Sequence, residues 1–139
     1  MKKLITATCI AFTVVLMVSS CKKVTSNPHS GTYTGKLSTT VGLVEKDNIP
    51  LVFTNGVSDE TNLYLYGIKL SKINEDKYEA QGEQIVKLIQ IVLPETKAEE
   101  ITNTSFVFNF SDGTVDLDAK YNLAGFADLA YMKYHGTKK

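Results

Sequence analysis

The chain has 139 residues, enough for one domain and short for two, and 43% of them are hydrophobic, so a core can form without disulfide staples. Its fifteen basic residues are all lysines and are balanced by fifteen acids, with no long like-charge block, which excludes the electrostatic footprint of a nucleic-acid-binding protein. Arginine and tryptophan are absent, and the two cysteines, Cys9 and Cys21, both fall near the start.

Met1-Lys2-Lys3 is a short positive opening, and Leu4 to Val18 is almost continuously apolar. That run falls short of the roughly 20 residues a helix needs to cross a bilayer. A positive start, a short apolar run and small residues after it predict a secretory signal peptide over residues 1–20. The small residues are Val18-Ser19-Ser20, and Cys21 follows at once. An ordinary signal with an incidental cysteine is the plainer alternative.

The tetrad VSSC resembles the lipobox of bacterial lipoproteins. The resemblance implies a diacylglyceride on the Cys21 thiol, cleavage just before it, and usually acylation of the new amino group. The peptidase site admits small side chains, and the thiol is the good nucleophile available for alkylation. Cys9 would leave with the signal, so no internal disulfide is expected. Lys2 and Lys3 would leave too, and fifteen acids would then outnumber thirteen lysines. The acyl chains make a membrane the expected partner, since each buried methylene contributes about 0.8 kcal/mol. Lys22 stands where enteric-type lipoproteins carry an aspartate for inner-membrane retention. The expected location is therefore the outer membrane of a Gram-negative envelope.

Lys22 to Ser30, KKVTSNPHS, is polar and holds Pro28; with Cys21 it reads as a flexible tether over 21–30, and His29 as a solvated member of it. From Gly31 to Lys139 the apolar period is two, the signature of strands. Tyr33, Gly35, Leu37 and Val41 share one face, and Ile49, Leu51 and Phe53 alternate before a turn at Thr54–Gly56. NLYLYGIKLSK reads as one strand, INEDK as a reversal, and Tyr78, Ala80 and Gly82 as the inward residues of the next strand. In IVKLIQIVL the odd positions Ile85, Ile89, Ile91 and Leu93 continue the alternation, which predicts a strand entered through a bulge or corner at Gly82. Pro94 to Asn103 is a polar interruption with room for a helical turn. Phe106, Phe108 and Phe110 then share a face, Ser111–Gly113 turns the chain, and Val115, Leu117, Ala119 and Tyr121 point inward. DLAYMKYHG closes the domain. Seven or eight short antiparallel strands with tight turns predict an all-β, up-and-down barrel over residues 31–139.

The opening SGTYTGKLSTTV, the Gly-bent middle and a last strand ending on Gly136 resemble the small calycin-like barrels of Gram-negative lipoproteins. Lipocalins begin with Gly-x-Trp, on which a late arginine packs. Here Tyr33 takes the aromatic position, and Lys133 or Lys138 is the candidate for the cation.

Catalytic constellations are sparse. His135 is the histidine of the domain, and no nucleophile elbow accompanies it. Asp112, Asp116 and Asp118 do not align with a calcium loop, and Glu99-Glu100 are neighbours rather than facing acids. The sequence therefore points to no enzyme, no cofactor and no metal; a pocket joining His135 to a carboxylate would be needed to reverse that. Rings are the richer signal: Tyr33, Phe53, Tyr64, Tyr66, Phe106, Phe108, Phe110, Tyr121, Tyr131 and Tyr134 are spread over most strands. Either they fill the barrel, or some line a pocket at its mouth for a small apolar or amphipathic ligand. On the second reading the binding set is Tyr33, Tyr64, Tyr66, Phe108 and Tyr131. On the first, the barrel is solid and engages another envelope protein, whose identity the sequence does not disclose.

Overall fold

A computed structural model describes residues 27–56 and 61–139. The signal peptide, Cys21 and the first part of the tether lie outside these residues. The described chain builds nine antiparallel strands: β1 (Gly31–Thr39), β2 (Val44–Asn55), β3 (Leu63–Leu65), β4 (Ile68–Lys69), β5 (Ser71–Asn74), β6 (Lys77–Glu79), β7 (Ile101–Ser111), β8 (Thr114–Leu123) and β9 (Ala130–Lys138). Their order in the sheet is β4-β3-β2-β1-β9-β8-β7-β6-β5, so every neighbour but the β1–β9 pair is also consecutive in sequence. The two outer strands, β4 and β5, are joined through Leu70 alone, which makes the sheet a nearly closed up-and-down barrel.

Alternation works as the sequence predicts on the long strands. Tyr33, Leu37, Leu51, Phe53, Phe106, Phe108, Phe110, Val115, Leu117, Ala119 and Tyr121 are buried, and the final strand adds Ala130, Met132 and Tyr134. The β7–β8 hairpin turns at Asp112 and Gly113, both with positive φ (37° and 81°), a pair of angles that matches the twist of the flanking strands. Two segments depart from expectation. NLYLYGIKLSK is not one strand: Tyr66 and Gly67 (φ 58° and 75°) form a second turn of this kind and divide β3 from β4.

The larger correction is IVKLIQIVL, which is the α-helix α1 (Glu83–Val92) rather than a strand. Gly82, expected as a bulge, is its N-cap, in a positive-φ conformation that glycine adopts cheaply. Ile85, Leu88, Ile89 and Val92 fall at i, i+3, i+4 and i+7 and are all buried, as an amphipathic helix requires. Strands β3 to β6 have two to four residues each, far shorter than β2 and β7 on either side of them. α1 reaches β1, β2 and β7 and so covers the wall where those strands run out.

Gln84 locks this closure. It is fully buried, its Nε2 donates to the carbonyls of Leu65 (3.1 Å) and Ile68 (2.6 Å), and its Oε1 accepts the Gln81 N–H (2.7 Å). One side chain thus satisfies two carbonyls of the β3–β4 hairpin and ties them to the start of the helix.

On the opposite wall, β1 and β9 approach closely where Gly35 pairs with Gly136. A Cβ on Gly35 would collide with the His135 carbonyl, and one on Gly136 with the Tyr134 ring. The Tyr134 hydroxyl shares its one proton between the carbonyls of Ile49 (2.8 Å) and Tyr33 (3.1 Å), closing that seam with a buried phenol. Nearby, the Lys138 ammonium stands 6.0 Å from the Tyr33 ring centroid, within cation–π range, whereas Lys133 is exposed on the outer face.

Candidate functional site

The interior is packed by rings. Phe53 meets Tyr33, Phe108 and Phe110 edge-on at 5.6, 5.3 and 5.1 Å between centroids. Tyr33 and Phe108, two of the candidate binding residues, are therefore buried in this aromatic cluster. The other three are elsewhere. Tyr64 is half-buried on β3, Tyr66 sits in the β3–β4 turn with Lys87 Nζ 6.0 Å from its ring, and Tyr131 is exposed on the outer face of β9. The five do not share one cavity wall. Cys21 lies outside the described residues.

The two ends of the barrel are built differently. At the end where β1 begins, residues 27–30 are docked on the barrel. Asn27 is 5% exposed; its Nδ2 donates to the Thr61 carbonyl (3.0 Å) and the Tyr78 hydroxyl (2.7 Å), and its N–H donates to Asn55 Oδ1 (3.1 Å). His29 is not a solvated tether residue. Its ring stacks on Phe110 at 4.5 Å and 17°, and its Nε2 contacts the Glu75 carbonyl (3.0 Å) and Asp76 Oδ1 (3.2 Å). Both partners are acceptors, so Nε2 carries a proton. The Tyr33 hydroxyl donates to the His29 carbonyl (3.0 Å) and completes the seal.

At the opposite end, where β1 stops, the chain leaves an open cleft of about 500 Å³. Its apolar lining comes from Val41, in a 3₁₀ turn after β1, from Val92 and Leu93 at the end of α1, from Pro94, from Leu123, the last residue of β8, and from Phe126 beyond it. Beneath Val41, Thr39 Oγ1 donates to the Tyr131 carbonyl (3.1 Å), so its contact with the Tyr121 hydroxyl (2.5 Å) has the phenol as donor. Burial holds the Tyr121, Tyr33 and Tyr134 phenols above their ordinary pKa, so the inside of the barrel stays uncharged.

The walls are tied down by hydrogen bonds. Leu93 N–H donates to the Ile89 carbonyl (2.8 Å), Gln90 Nε2 to the Thr96 carbonyl (2.9 Å) and Ala124 N–H to the Glu100 carbonyl (2.9 Å). Such a cleft is largely pre-formed, within the usual 300–1,000 Å³ of small-molecule sites. Of its lining, Phe126 is 51% exposed; Leu43, the last residue of the 3₁₀ turn that begins at Val41, lies outside the lining and is 84% exposed with φ 53°.

No protein-family model, curated protein or solved structure matches the chain.

Outside the cleft, the structure brings His135 to a carboxylate: Nδ1 is 2.6 Å from Asp116 Oδ1. These residues are directly paired across β8 and β9, with Lys36 opposite His135 on β1. Both side chains are exposed on the outer face of the sheet, where they line an open groove of about 490 Å³ together with Lys36, Asn109, Asp118 and Lys133. β8 and β9 are each flanked by strands on both sides, so their backbone N–H groups are engaged in the ladder rather than converging on a reacting oxygen. The geometry is that of a cross-strand pair. Asp118 lies one outward position further on, opposite Lys133, and Asp112 is in the turn. Among the described residues no group of three or more His, Cys, Asp or Glu converges as a metal site.

The cleft residues carry little sequence signal, being ordinary aliphatics from three separate segments. One cue was available: Phe126 follows a glycine-containing break in the alternation, where a large apolar group has no strand face to occupy.

Proposed function

We propose that the protein is a lipid-anchored, non-enzymatic lipoprotein of a Gram-negative envelope that binds a small apolar or amphipathic molecule in the cleft at the open end of its barrel. The observation that carries the reading is the pre-formed apolar cleft beside an interior already filled by aromatic rings. The ligand thus sits at the mouth rather than inside. The anchor rests on the resemblance of Val18–Cys21 to a lipobox. Asn27, six residues beyond Cys21, docks at the end opposite the cleft, so the anchor would hold the open end away from its own membrane.

Among the described residues the buried core runs from Tyr33 to Tyr134, so a soluble chain beginning at Lys22 retains all of it. That chain should bind the neutral dye N-phenyl-1-naphthylamine saturably and carry a co-purifying small molecule in native mass spectrometry. Ala124→Trp, which places a large ring in the cleft, should abolish dye binding without altering the circular dichroism. A clean apo mass with no saturable binding, or binding unchanged by that substitution, refutes the site. The anchor is tested separately: cells fed labelled palmitate should label the protein, and Cys21→Ser should remove the label.

A second reading, a solid barrel that engages another envelope protein, is favoured by Leu43, an apolar side chain held almost fully in water. Cross-linking in intact cells should then recover one reproducible partner through the turn that carries Leu43, and lose it in Leu43→Asn.

A further inference from the structure

We infer that the cleft takes an amphipathic cation, an apolar body carrying one ammonium-like head group; the inference rests on the reading of the cleft as a ligand site. The apolar part of the lining has been described. Its charged part has one sign: Glu95 and Glu100 are the charged residues among those lining it. Lys97, the nearest lysine in sequence, donates its backbone N–H to Glu100 Oε1 (2.8 Å) and is not part of the lining. A carboxylate accepts several hydrogen bonds, so that contact leaves Glu100 with capacity for a ligand donor.

A second, independent source of negative potential is α1 itself. It has ten residues, an acid in its first turn and no basic residue in its last. Its C-terminal residue Val92 and the following Leu93 line the cleft, so the helix brings the partial negative charge of its uncompensated end to this site. Phe126 adds a half-exposed ring whose face attracts cations. An anionic amphiphile would meet all three features with the wrong sign, and a neutral one would leave them unused.

The test uses the soluble chain from Lys22 and displacement of N-phenyl-1-naphthylamine at pH 7 by decylamine, decanoate and 1-decanol, each below its micelle concentration. Decylamine should bind about tenfold tighter than decanoate, equivalent to 1.4 kcal/mol. Glu95→Gln and Glu100→Gln together should erase most of that preference, weakening decylamine far more than decanol; glutamine keeps the acceptor that the Lys97 N–H requires. Raising salt from about 20 mM to about 500 mM should weaken decylamine and not decanol. If the dye binds but decanoate or decanol displaces it as well as decylamine does, the cation inference is overturned and the ligand site stands. If neither the dye nor any of the three probes binds, the site itself is overturned.

Discussion

The two ends of this barrel are made from the same strands, yet one is sealed and the other is not. Where β1 begins, Asn27 and His29 fold back over the Tyr33–Phe53–Phe110 cluster and meet its polar edges with hydrogen bonds. Where β1 ends, Phe126 stands half-exposed at a cleft whose lining is mostly apolar, and Leu43, in the turn that begins at Val41, faces water. The chain clearly has the means to cap an end, since four residues of an otherwise polar segment do so at the first. Apolar exposure at the second is therefore a property of that end and not a shortage of covering residues, which is what a binding surface requires.

Substitutions of one ring at each end should show this difference most visibly. Phe53→Ala removes a fully buried ring that touches three others and should cost about 3–5 kcal/mol in urea unfolding. Phe126→Ala, at the open rim, should change stability by no more than about 0.5 kcal/mol and yet lose dye binding. Equal destabilisation by the two would mean that the rim is part of the core, and the contrast between the ends would fail.

Asn27→Ala probes the seal itself. It would leave the Tyr78 hydroxyl and the Thr61 carbonyl without the Asn27 amide, at a cost of about 1–3 kcal/mol. Amide exchange should speed up in β1 and β6 and stay unchanged around the cleft. A variant as stable as the parent would show that residues 27–30 merely rest on the barrel.

The strands were legible because their environment is one-sided: Phe106, Phe108 and Phe110 face the core while Ser105 and Ser111 do not. The Ser-Asp-Gly turn was legible because glycine marks positive φ. Tyr66 was not, since tyrosine seldom adopts the left-handed conformation it takes here. The helix was obscured because its sequence satisfies two periods at once. Ile85, Ile89, Ile91 and Leu93 alternate like a strand, while Ile85, Leu88, Ile89 and Val92 repeat like a helix, and β-branched residues favour the first reading. Tertiary demand decided it, because a wall left incomplete by four short strands needs a broad apolar face. Asn27 and the cleft share a different cause. Both depend on which distant segments meet, and periodicity does not encode that.

High pH offers a third comparison, beneath the surface of the ends. Tyr33 lies under the seal and Tyr121 under the cleft, and both phenols are held above their ordinary pKa of 10.0 by burial, as is Tyr134 between them. The unfolded chain releases these protons near pH 10 and the native chain does not, so above that pH the unfolded state binds fewer protons. Stability is thus fully present below pH 10 and should fall as pH rises through the native values. Tyrosinate absorbance should show these phenols ionising together with loss of circular dichroism. If Tyr121→Phe leaves a late-titrating class of unchanged size, the space below the cleft is wet and the two ends differ in depth as well as at the rim.

The smallest effect should be the most informative about why the open end stays open. Leu43 pairs a left-handed backbone, which disfavours any side chain with a Cβ, with an exposure that wastes an apolar group on water. Leu43→Asn suits both conditions better, since asparagine tolerates that conformation and is polar, so it should raise stability by up to about 1 kcal/mol. Leu43 shares its turn with the cleft residues Val41 and Gly42, so on the proposed reading its cost to folding would be set against a gain in binding. The decisive measurement is therefore a pair: the thermal midpoint should rise while rim-dependent binding, to the dye or to a cross-linked partner, falls. A gain in stability with binding untouched would make Leu43 a neutral oddity of the turn, and would shift the functional weight of this end entirely to the cleft behind it.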